Sequence, residues 1–63
     1  MELIVMERGG LYGPMLEIPL LPQMLRVATP QNDAVEILVY TLAGECFLEC
    51  GRLITVYHFE RVE

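Results

Sequence analysis

The chain reads as short apolar runs separated by turn residues. Glu2 to Met6 (E-L-I-V-M) combines β-branched and large apolar side chains and predicts a strand. Arg8-Gly9-Gly10 predicts a turn, because glycine reaches positive φ without a side-chain clash, and Gly13-Pro14 marks a second break. Met15 to Pro19 is expected to be extended, since Ile18 precedes a proline and is pushed toward β geometry. Leu20 to Val27 has helical spacing: Leu21, Met24 and Leu25 fall at i, i+3 and i+4, and Pro22 limits the element to a short turn. Ala28 to Asp33 predicts a loop. Ala34 to Leu42 is the strongest strand, with Val35, Ile37 and Val39 on one face and Leu38, Tyr40 and Leu42 on the other. Ala43-Gly44-Glu45 predicts a hairpin turn, with Cys46 to Cys50 as the return strand. After Gly51, Arg52 to Val62 predicts a last strand of good β formers.

Together these elements predict one mainly β domain over residues 1–63, with four or five short strands and one short helical turn. A chain of this size buries only about 60% of the surface its unfolded form exposes. Yet 54% of its residues are hydrophobic, and its strongest strand is apolar on both faces. Both facts point to a homodimer, with Ile37, Leu38, Val39, Tyr40 and Leu42 at the interface and the two chains forming a small barrel-like assembly. An SH3-like barrel is the alternative architecture.

Charge narrows the functional classes. The net charge is −5, from four arginines, no lysine and nine acidic residues. That balance disfavours generic polyanion binding, which draws its affinity from Lys and Arg on phosphates. Apolar runs such as Ile37 to Tyr40 fall far short of the ~20 residues that a membrane span needs, so no membrane association is expected. Met1-Glu2 opens without a basic leader, which predicts a cytoplasmic protein. Cys46 and Cys50 are then expected to be reduced, small core residues. With His58 they supply too few ligands for zinc, and no metal or other cofactor is expected. His58 between Tyr57 and Phe59 is read as a partly exposed strand residue, with a pH switch as the functional alternative. Tyr12, Tyr40 and Tyr57 are expected to pack in the core or an interface. The chain has no serine, no phosphate-cradling glycine loop and no carboxylate pair singled out by its setting, so no enzyme activity and no small-molecule substrate are expected.

The order of signals in the middle of the chain resembles the swapped-hairpin domains of the AbrB and MazE type, which are transition-state regulators and antitoxins. The residues that carry the resemblance are Arg8-Gly9-Gly10, Gly13 to Pro19 ending in Ile18-Pro19, Leu20 to Leu25, Asp33 to Ile37 and Ala43 to Leu48, within residues 2–50. The resemblance implies a homodimer with exchanged hairpins, a helix at Leu20 to Leu25 and a final hairpin at Ala43 to Leu48. It also implies transcription regulation through DNA, with Arg8, Gly9 and Gly10 at the first turn in contact; Arg26, just after the helix, is a second candidate. Glu7 and Glu17 stand where such domains favour basic or neutral residues, and the strand after Gly51 lies outside the minimal domain. The alternative is a non-enzymatic interaction module whose acidic surface docks on a basic protein partner.

Overall fold

The computed structural model describes residues Met1–Glu63 and is built from strands alone, which take up about 75% of the chain. In chain order they are β1 (Glu2–Arg8), β2 (Leu11–Tyr12), β3 (Leu16–Ile18), β4 (Met24–Gln31), β5 (Ala34–Glu49) and β6 (Arg52–Val62). They form one open sheet ordered β2-β1-β6-β5-β4, with β3 also paired to β1. Only β1 and β6 run parallel; every other pairing is antiparallel. The mainly β expectation holds, but there are six strands rather than four or five, β5 and β6 are long rather than short, and the sheet does not close into a barrel.

Three hairpins join strands through two-residue turns, at Gly9-Gly10, Asn32-Asp33 and Cys50-Gly51. All six central residues have positive φ, the type I′ geometry whose twist matches that of the flanking strands. Glycine takes such angles freely and Asn and Asp tolerate them, but Cys50, at φ 51°, bears a side chain in left-handed backbone.

Three sequence expectations are corrected here. The helical turn at Leu20 to Val27 is absent: bends lead through Pro22-Gln23 into β4, which starts at Met24. Pairing with β5 along the whole of β4 outweighs the i, i+3, i+4 spacing, and Val27 and Thr29 favour a strand in any case. The loop expected at Ala28 to Asp33 shrinks to Asn32-Asp33. Ala43-Gly44-Glu45 turns no corner. Leu42 pairs with Tyr57 and Cys46 with Thr55, so residues 43–45 bulge out of β5 opposite Val56 alone, and the true turn lies at Cys50-Gly51.

The sheet carries apolar clusters on both faces. Ile4, Tyr40 and Tyr57 form one core, flanked by Met6, Ile18, Leu25, Leu38 and Phe59 among others. Val5, Ile54 and Val56, flanked by Leu3, form the other. Strand alternation places them on opposite sides, since Ile4 and Val5 are adjacent and so are Val56 and Tyr57. The segment before β4 helps close the first core: the Tyr57 hydroxyl donates to the Pro22 carbonyl at 2.5 Å, and the Leu42 amide donates to the Gln23 carbonyl at 2.9 Å.

The molecule is elongated, measuring 41 × 24 × 19 Å. Its radius of gyration of 12.3 Å exceeds the ~10.6 Å typical of a compact chain of this length. Its accessible surface of 4492 Å² likewise exceeds the ~4,100 Å² typical of this mass. Part of the exposed surface lies at the far end of the β5–β6 hairpin, where Leu48 and Leu53 are exposed. Beyond Leu42, β5 has lost its β4 neighbour and pairs with β6 alone.

Candidate interaction surface and the acid–histidine clamp at its base

From the bulge outward the hairpin is an arm. Phe47 and Leu48 on β5 and Leu53 on β6 expose 41%, 72% and 58% of their surface. Cys46 and Cys50 are exposed as well, not the core residues expected, because no element covers this part of the sheet. The arm tip also carries Glu49, opposite Arg52 in the strand register, and Glu17 of β3 joins them in lining a cleft with Leu3 and Ile54. On the side toward the arm base, Tyr12, Glu45, Cys46, Phe47 and Val56 line a second shallow cleft of about 410 Å³.

At the arm base three titratable side chains converge. Glu7 sits beside His58 in the parallel β1–β6 register, and the bulge brings Glu45 of β5 to the other side of the ring. His58 Nδ1 lies 2.7 Å from Glu7 Oε1, while the other Glu7 oxygen accepts from the Gly10 amide at 2.7 Å. His58 Nε2 lies 3.1 Å from Glu45 Oε1 without hydrogen-bond alignment, and it has no other partner. The Glu7 contact is thus a hydrogen bond and the Glu45 contact a charge pairing. The Glu7 bond raises the His58 pKa above its ordinary value, against the opposing effect of desolvation and with help from Glu45. The same bond, with the Gly10 amide, lowers Glu7. Burial raises the Tyr57 hydroxyl. His58 is thus a half-buried link among three strands, a role that the sequence reading missed. Glu7 and His58 lie 51 positions apart, and nothing local in the sequence joins them.

The arginines singled out from the sequence are not brought together. Arg8, next to Gly9-Gly10, stacks its guanidinium 3.9 Å above the Phe59 ring. Phe59 packs edge-on against Tyr40, so Arg8 lies on the Tyr40 side of the sheet. Arg26 is paired in register with Val39, on the opposite side, and its Nε lies 3.2 Å from both carboxylate oxygens of Glu63. Arg61 contacts Glu60 and Glu63. Arg8 and Arg52 alone among the arginines have no carboxylate within ion-pairing distance.

The residues expected at a dimer interface are partly covered by their own chain. Val39 and Tyr40 are buried on opposite faces, and Ile37, Leu38 and Leu42 are half-buried. Strands β4 and β6 flank this stretch, so the two-faced apolar pattern no longer calls for a second copy. Tyr40 and Tyr57 are core residues as expected, whereas Tyr12 is exposed. No three His, Cys, Asp or Glu side chains are arranged to hold a metal, and no helix is long and apolar enough to cross a membrane. Comparison with protein-family models, with curated proteins and with solved structures returned no match.

Proposed function

We propose that the chain is a non-enzymatic protein-interaction module, an adaptor or assembly subunit that engages its partner through the β5–β6 arm. One observation carries this reading: the arm holds Phe47, Leu48 and Leu53 in solvent on a chain whose cores are complete without them. Apolar side chains gathered on a protruding element are the signature of a contact surface. Charge supports the same reading. Arg26 and Arg61 are held by carboxylates of the chain itself, and the net charge is −5. The DNA-binding regulator suggested by the residue order around Ile18-Pro19 has weaker support, because Arg8 and Arg26 sit on opposite sides of the sheet and share no basic face.

The test is position-specific photocrosslinking in cells, with p-benzoylphenylalanine replacing Leu48 at the arm or Val35 at the other end of the same strand. A discrete protein adduct from position 48 and none from position 35 is the expected result. Equal or absent adducts at both positions, or micromolar binding of mixed-sequence duplex DNA at low salt, would overturn the reading.

A further inference from the structure

We infer that the outer edge of β5 from Cys46 to Glu49 takes an extended partner segment of alternating basic and apolar residues, which adds to the sheet as a strand in line with β4. The inference rests on the interaction-module reading and specifies its mode and the chemistry of the partner.

The edge itself is the first argument. Every sheet edge is a row of unpaired backbone donors and acceptors, and proteins blunt such edges with short strands, prolines or charges. At one side of this sheet β2 and β3 are only two and three residues long. At the other side β4 carries Pro30 and the Arg26–Glu63 ion pair. Beyond Leu42 the β4 cover ends, since the last backbone bond on that side runs from the Leu42 amide to Gln23. Cys46 to Glu49 then continues as regular strand, bonded to β6 on one side and to nothing on the other, with no proline and with its charges confined to Glu45 and Glu49 at its two ends. Strand addition uses such a ladder for affinity and alternate side-chain pockets for specificity.

The second argument is charge. Glu45 and Glu49 bracket this edge, and Glu17 lies beside the arm tip. A second copy of this chain, adding antiparallel about Phe47, would set Glu45 of one chain opposite Glu49 of the other, and like charges directly opposite destabilise a strand pair. A basic strand meets the same carboxylates favourably. The cleft lined by Tyr12, Cys46, Phe47 and Val56 offers apolar surface for the stem of a lysine, and Glu45, in the same lining, offers a carboxylate for the ammonium.

The experiment titrates the full chain, at low salt, into three fluorescein-labelled seven-residue peptides read by anisotropy. The first alternates Lys and Val, the second alternates Glu and Val, and the third is the Lys/Val peptide N-methylated at every residue, which removes the backbone donors of both edges. The expected result is saturable binding of the first peptide alone. Glu49→Lys and Leu48→Ser, both at exposed positions, are each expected to weaken it by about fivefold, the scale of one cross-strand pair. Undiminished binding of the N-methylated peptide would overturn strand addition. Equal binding of the Glu/Val peptide would overturn charge selection, and no binding of any peptide would overturn the inference as a whole. None of these outcomes removes the interaction-module reading while the Leu48 crosslink stands. Loss of that crosslink removes both.

Discussion

Tyr40 and Leu48 belong to one strand, yet the first is buried and the second is almost bare. The difference lies in their neighbours. Tyr40 has Leu25 of β4 on one flank and Phe59 of β6 on the other, within the core that Pro22-Gln23 helps to close. Leu48 has Leu53 on one flank and solvent on the other. An apolar side chain in a β protein is covered by the strands beside it and the segment above it, and its own position in a pattern says little about either. The first half of β5 builds the fold; the second half is free to contact something else.

The largest expected effect tests the buried half. Tyr57→Ala removes the fully buried ring of the first core and its bond to Pro22, and should cost about 3–5 kcal/mol, enough to leave so small a domain largely unfolded in urea titrations. Retention of a cooperative transition near the wild-type midpoint would show that this core does not hold the sheet. Gly51→Ala puts a side chain into the left-handed turn at the arm tip and should cost about 1–2 kcal/mol, read from the same titration.

The clamp between the two halves adds a pH dependence. The folded-state pKa of His58 is raised, so its contribution is complete below its unfolded value near 6.5 and fades as pH climbs through the raised value. The folded-state pKa of Glu7 is lowered, so its contribution is present above its unfolded value of 4.5 and fades as pH falls through the lowered value. The urea midpoint should therefore be highest between these limits and decline on the alkaline side. His58→Gln should flatten that alkaline decline, and an unchanged profile would mean that the clamp is absent in solution. The smallest effect belongs to the arm: Leu48→Ser and Leu53→Ser should each move stability by no more than about 0.5 kcal/mol. A loss comparable to that at Tyr57 would mean that the arm is part of the core in solution.

Much of the strand content was legible in the sequence. Glu2 to Met6, the start of β5 and nearly all of β6 announce themselves through β-branched and aromatic residues, and Gly9-Gly10 announces its turn. Two local signals misled. The spacing of Leu21, Met24 and Leu25 fits a helix, but Met24 and Leu25 pair with Thr41 and Tyr40 of β5, and tertiary pairing decides. Gly44 looks like a hairpin corner and is instead the middle of a bulge, a distinction made only by the register with β6. The site was less legible. Arg8 was visible as a turn arginine, but its Phe59 partner lies at the far end of the chain, as does the His58 partner of Glu7.

The parallel pairing of β1 with β6 also constrains how the molecule is born. Strand β1 leaves the ribosome before β6 and has to wait, with Ile4 and Val5 uncovered, until Val56 and Tyr57 have been synthesised. Until then only the separate hairpins can form, and the nascent chain presents greasy, unpaired edges to its surroundings. Shortening the chain into β6 should therefore yield no smaller folded unit but an aggregating one, because both cores join residues of β1 to residues of β6.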